Sequence, residues 1–329
     1  MISATDIVSL PWRHELPAAG VAQAVRFLTH AGMSADDTSY EALRQKVAEV
    51  SVEVAFRRHL GSQGLLVTTE PPQPFSDPER HDAVLGGRRF DLRTALIRDR
   101  KRIEAMQRAP DGLREEWALI PAADVLAPER PDQDVFVFAF LTGLVTRSAS
   151  ELKRALGASQ PCALLHCMPD AWKAPRTWRS MDPLTVSCRS PIRELEIHGQ
   201  NEGRQHLSRT TALPPEREVK LESGLFAVSA LQIQAPTRTA VRVRSAVHAR
   251  PHIVMPRDWE NIWVYGMEIS IAGYLTRKEF RSRARPLRRS PRSQTRLRPR
   301  TTYLAVPVGQ LEPVAGLLQA ARSWQASGR

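Results

Sequence analysis

HDAVLGGRRFDLRTALI, residues 81–97, decides the fold. Two half-apolar runs flank Gly86-Gly87, a dipeptide that accepts the positive φ angles of a tight two-residue turn, so the stretch is predicted as a β-hairpin. Counting outward from the turn pairs Leu85 with Arg88 and then Asp82 with Asp91. Strand alternation puts Val84, Arg89 and Arg93 on the face of those two acids, and Ala83, Leu85, Phe90 and Leu92 on the other. Carboxylates opposed across a ladder have Cβ atoms only ~5 Å apart and repel. Protonation, neighbouring cations or solvent would relieve this. A hard divalent ion such as Mg²⁺, which takes oxygen ligands octahedrally, is the natural neutraliser. Arg93 adds a fixed positive charge on the same side. Two oxygen ligands and a cation suit phosphodiester hydrolysis, in which the ion activates water and both charges stabilise the pentacoordinate phosphate. The plainer alternative makes Asp82 and Asp91 surface acids matched to Arg80, Arg89 and Arg93; it accounts for the charges but not for two acids placed face to face.

Upstream of the hairpin, a helix is predicted from about Ser39 to Leu60, with Leu43, Val47, Val50 and Val54 on one stripe, Ser39 as N-cap and Gly61 at its end. An earlier helix lies in AAGVAQAVRFLTHAG, residues 18–32, where Val21, Val25 and Leu28 share a face. GLLVTTE (64–70) is a short strand and PPQPFSDPE (71–79) a proline-rich loop leading into the hairpin. Downstream come a polar helix, roughly Arg98 to Arg108, and DVFVFAFLTG (134–143), a continuous apolar run typical of a buried central strand.

The segment from Val52-Glu53 through Thr94 resembles the core of the PD-(D/E)XK, or restriction-endonuclease-like, nucleases. In that family a helix carrying a glutamate precedes a hairpin of the form D-x-(several)-G-x-x-(D/E)-x-K. Glu53 in SVEVAFRRHLGSQG matches the helix glutamate, Asp82 the first metal ligand and Asp91 in FDLRT the second acid, while the family's lysine falls on Arg93. The resemblance spans residues 39–143 and, more loosely, 258–313. It implies an α/β (α+β) fold with a mixed central sheet flanked by helices. It also implies Mg²⁺ (or Mn²⁺) held by Asp82 and Asp91, with Glu53 assisting through the metal or its water and Arg93 stabilising charge. The activity implied is metal-dependent cleavage of DNA, with restriction or antiviral defence against mobile DNA as the setting. The departure at Arg93 opens a second expectation. Arginine is a planar fork that stays protonated and cannot act as a base. The alternative is therefore a catalytically degenerate nuclease-fold subunit that binds nucleic acid or assembles a larger complex.

Farther out the chain changes character. From about Pro161 to Pro256 short β-like pieces alternate with turn residues, which suggests an inserted all-β, sandwich-like module. NIWVYGMEISIAGYL (261–275) returns to longer apolar runs, and TYLAVPV (302–308) and a helix from Val314 to Trp324 close the sequence. The expected partition is a helical segment 1–38, a nuclease-like core 39–144, the β module 145–256, and a return to the first domain over 257–329. Trp259 and Trp263 are expected in packing rather than as base platforms.

The net charge of +12 and a pI near 10.4 favour a polyanionic partner, nucleic acid first and DNA over RNA. Much of the excess lies between Arg277 and Arg300, with eleven Lys or Arg and one acid, Glu279. Pro286, Pro291 and Pro299 interrupt this stretch, which is predicted as an extended loop over 277–300. Its Arg281, Arg283, Arg285, Arg288, Arg289, Arg292, Arg296 and Arg298 would meet phosphates without reading bases. A protein partner for the β module and self-association both stay open. No apolar run approaches the ~20 residues of a membrane span, and the N-terminus lacks the signature of a signal peptide, so a cytoplasmic location is expected. Cys162, Cys167 and Cys188, even with His166 added, fit no zinc spacing and are expected as small buried thiols. No HExxH, GxSxG, Walker A or GxGxxG pattern occurs, so zinc-protease, serine-hydrolase, ATPase and dinucleotide chemistry have no local support.

Overall fold

The computed structural model describes residues 2–29, 39–68, 83–287 and 302–327. The fold is mixed α+β, in two compact units. One comprises Met1–Pro17, Ala48–Leu144 and Tyr265–Arg329; the other comprises Ala18–Val47 and Val145–Val264.

A six-stranded mixed sheet organises the first unit, in the order Val8–Leu10, Tyr265–Thr276, Val135–Leu144, Arg88–Ile97, Ala83–Leu85, Val67–Thr68. The hairpin closes in the counted register: Leu85 faces Arg88, Val84 faces Arg89 and Ala83 faces Phe90. Gly86 and Gly87 have φ of +57° and +80°, the conformation a type I′ turn demands. A Cβ on Gly86 would also lie 2.7 Å from Trp324 Cβ, so the turn needs glycine there for space as well as for φ.

Strand Arg88–Ile97 runs parallel to Val135–Leu144, with Asp91 beside Phe136. A parallel neighbour requires a crossover, supplied by helix Arg100–Arg108 and the segment after it. Asp99 caps that helix, its Oδ1 accepting from Arg102 N at 2.9 Å. The run VFVFAF is apolar throughout because its strand has a neighbour on each side, Arg88–Ile97 and Tyr265–Thr276, and is covered on both faces. Phe136 and Phe138 pack on Phe280 at centroid separations of 5.9 and 5.6 Å.

Two sequence expectations change here. The segment predicted as an extended loop begins with a helix, Arg277–Arg283, because Thr276 and Glu279 form a capping box. In helix Tyr40–Ser62 the buried face is Leu43 and Val47 followed by Val52, Phe56 and Leu60, while Val50 and Val54 are only half-buried. Its turns up to Val47 belong to the second unit and those from Ala48 to the first, so one straight stripe does not serve both.

The second unit holds a five-stranded antiparallel sheet (His206–Leu213, Ile192–Gln200, Ala227–Ile233, Leu164–Cys167, Glu260–Asn261) and a four-stranded one (Glu218–Leu221, Leu184–Cys188, Val241–Arg244, His252–Val254). They share one core: Leu195, Ile197 and Leu231 come from the first sheet, and Val186, Val241 and Val243 from the second, with Trp172 and Trp259 alongside. Buried Arg44 ties Ala18–Val47 to this unit. Its Nε donates to Asn261 O at 2.9 Å, and its Nη2 donates to Thr146 O and meets Glu260 at 2.9 Å. Cys162 and Cys188 are buried and unbridged, and burial pushes the Cys162 and Cys167 thiols up to about 11. Such thiols are inert at neutral pH. Among the described residues no helix is long and apolar enough to cross a membrane.

Candidate functional site around Asp91

Asp91 sits in the middle of the mixed sheet and is only 6% exposed. Its Oδ2 accepts from Arg93 Nη2 at 2.9 Å and from Arg130 Nη1 at 2.5 Å. Arg93 reaches onward to Asp124 Oδ2 at 2.9 Å. The result is a chain of alternating charge, Arg130–Asp91–Arg93–Asp124, that sums to zero. Strand periodicity explains one half of it: residues 91 and 93 share a face. The other half comes from the segment between the crossover and the central strand.

Arg277 fixes that segment. This first residue of the capped helix is almost wholly buried. Its guanidinium donates to Val125 O at 2.9 Å, to Ala127 O at 2.5 Å and to Arg130 O at 2.5 Å, and meets Asp132 at 3.3 Å. The helix start adds backbone bonds from Arg277 N to Asp134 O and from Lys278 N to Asp132 O, at 2.7 and 3.1 Å. Arg130 is thus held from its own carbonyl, with its side chain aimed at Asp91.

The other predicted site residues fall as follows. Asp82 lies outside the described residues, as do Arg288, Arg289, Arg292, Arg296 and Arg298. Glu53 lies on helix Tyr40–Ser62 and is ion-paired with Arg57 one turn on. Arg281 is paired with Asp132 at 3.2 Å, and Arg283 with Glu312 at 2.9 Å and Gln310 O at 2.7 Å. Arg285 is exposed, on the short strand Arg285–Pro286. Arg130, Asp124 and Arg277 were not singled out from sequence; the Thr276-x-x-Glu279 capping box was the one local signal for the last.

For a Mg²⁺ or Mn²⁺ ion at Asp91, the expected second ligand, Asp82, lies outside the described residues. Among them no group of three His, Cys, Asp or Glu converges as a metal site. Asp91 Oδ2 already accepts from two cations that cannot lose a proton. A divalent ion placed on it would stand ~5 Å from each guanidinium, at a cost of roughly 7 kcal/mol apiece for an effective dielectric of about 20.

A second polar cluster occupies the β unit. His166 Nε2 and His252 Nε2 are 2.9 Å apart, and the ring centroids are 5.1 Å apart with planes at 26°. The rings meet nearly in line, nitrogen to nitrogen. That arrangement suits one shared N–H···N bond, whereas a metal needs two lone pairs converging on one point. His166 Nδ1 faces Asp258 O at 3.1 Å and donates to it, so its Nε2 accepts and His252 Nε2 donates.

Burial, then the neighbouring His166, holds the His252 pKa below its ordinary 6.5, with Asp258 acting in the opposite sense. The unfolded chain therefore takes up more protons than the folded one as pH falls through 6.5. Stability contributed by neutral His252 is complete above pH 6.5 and is lost below it. Burial lowers His248 and His59 as well, adding to the same slope. Thermal melts between pH 8 and 5 should show Tm falling below pH 6.5, with a shallower fall in His252→Gln. An equal slope in both proteins would reject the shared-proton assignment.

Comparison of the chain with protein-family models, curated proteins and solved structures finds no match, so the chemistry of the site rests on its own residues.

Proposed function

We propose that the first unit is a nucleic-acid-binding domain of PD-(D/E)XK-like design in which the catalytic position is closed by arginine, so that it holds DNA without cleaving it. The observation that carries this is the double engagement of Asp91 by Arg93 and Arg130. A mixed sheet flanked by helices, with Glu53 on the preceding helix and Asp91 and Arg93 on the second hairpin strand, supports the nuclease-like design. A net charge of +12 supports a polyanion as partner. In this reading Arg93 and Arg130 neutralise Asp91, as a metal would in an active enzyme, and free the domain from any metal requirement.

Fluorescence anisotropy with duplex DNA, in EDTA and in Mg²⁺, tests the proposal. Binding should be indifferent to EDTA and should weaken by about 10³ or more between 50 and 200 mM salt if six or more phosphates are contacted. Supercoiled plasmid should stay intact in Mg²⁺ or Mn²⁺. Metal-dependent nicking that disappears in Asp91→Ala would overturn the proposal in favour of a metal-dependent nuclease, and salt-resistant binding would overturn the phosphate contacts.

A further inference from the structure

A cavity of about 570 Å³ opens in the β unit between the segment 170–179 and Val247-His248. That volume falls within the usual range for a small-molecule site. Arg176 and Arg179 line it, together with His248 and an apolar strip formed by Ala174, Pro175 and Val247. The one acid in its wall, Asp170, is ion-paired with Lys173 at 2.9 Å. Among the described residues neither Arg176 nor Arg179 meets a carboxylate.

The two arginines flank an anchored residue. Trp178 Nε1 donates to Glu202 O at 2.8 Å, its ring leans on Phe226 at 5.8 Å, and Arg204 stacks over it at 4.3 Å. This fixes the backbone from which both guanidiniums project. On the facing wall His248 stacks on buried Trp172 at a centroid distance of 4.3 Å. Its Nε2 is shielded from solvent and has no hydrogen-bond partner among the described residues. Leaving a shielded ring nitrogen unsatisfied is costly, and a ligand oxygen is one way to satisfy it.

We propose that this cavity binds an organic phosphate monoester, such as a nucleotide. Arg176 and Arg179 take the phosphate, His248 Nε2 bonds one of its oxygens, and the organic body lies on Ala174, Pro175 and Val247. Guanidinium forks match phosphate oxygens in pairs, and charge-assisted bonds of that kind are about twice as strong as neutral ones. The site is independent of the first unit's DNA binding, since it uses none of the residues around Asp91.

Isothermal titration of the full chain in EDTA tests it, with AMP, inorganic phosphate, adenosine and a DNA tetranucleotide with and without a 5′-phosphate. AMP should bind at least tenfold more tightly than either adenosine or inorganic phosphate. The pair Arg176→Ala with Arg179→Ala, both at exposed positions, should weaken AMP at least tenfold with an unchanged melting curve. A tighter 5′-phosphorylated tetranucleotide than AMP would identify a strand end as the source of the phosphate, and the reverse order a free nucleotide; both support the shared chemistry. Equal AMP affinity in the double variant would overturn the proposal. So would inorganic phosphate as tight as AMP, or no saturation by any phosphate-bearing probe.

Discussion

Asp91→Ala is expected to destabilise the first unit by about 3–5 kcal/mol, the usual loss when one partner is removed from a buried ion pair. The geometry places it in that class. Asp91 and Arg130 side chains are each 8% exposed, and their contact is 2.5 Å. Without the carboxylate, Arg130 keeps a full charge in a site with little access to water, and Arg93 keeps its contact with the partly exposed Asp124. The sign of the effect also separates two functions. If Asp91 were one of two opposed metal-binding carboxylates, its removal from the metal-free protein would relieve repulsion and raise Tm. Urea titration in EDTA, followed by circular dichroism, decides between a fall and a rise in the midpoint. A second variant keeps the result interpretable. Asp91→Ala combined with Arg130→Met removes both members of the pair and should recover most of the loss, because an apolar residue of similar length tolerates that burial. A double variant no more stable than Asp91→Ala would show that the pair is not the source of the effect.

This pair also marks where sequence reasoning stopped. Asp91 and Arg93 were legible because strand periodicity is strict: a glycine turn at 86–87 sets the register, and each residue's face follows from it. The central strand was legible because burial on two faces leaves no polar position to confuse its pattern. Arg130 was not. It lies 39 residues from Asp91, in a turn with no periodicity, and reaches the site only because the parallel crossover brings it there. Asp124 belongs to the same connection. In the β unit, the strands with alternating or continuous apolar residues could be picked out, whereas His206–Leu213 could not. Most of its side chains are exposed or half-buried, so HLSRTTAL carries no hydrophobic period. The pairing of His166 with His252 joins strands of two different sheets, which no local pattern encodes.

Charge density misled in a different way, and Arg277 shows how. It opens a run of eleven cations, yet it is a buried structural group that satisfies three carbonyl oxygens at once. Arg277→Ala is expected to cost at least 3 kcal/mol. Each bond from a charged donor contributes about 1.5–3 kcal/mol, and the carbonyls of Val125, Ala127 and Arg130 would lose their donor together. Arg277→Lys should recover little, since one ammonium on a flexible stem cannot span carbonyls that the planar fork reaches simultaneously. The consequence should extend to the charge chain. Once the carbonyl of Arg130 is released, its side chain is no longer aimed at Asp91, so Asp91→Ala should cost less in an Arg277→Ala background than alone. A double-mutant cycle in urea measures this coupling directly, and an interaction of 1 kcal/mol or more is expected for groups joined through one segment. Strict additivity would instead mean that Arg277 supports the fold locally and plays no part in placing Arg130. Arg285, exposed and on the neighbouring short strand, is the matched control: its replacement by alanine should leave stability within about 0.5 kcal/mol.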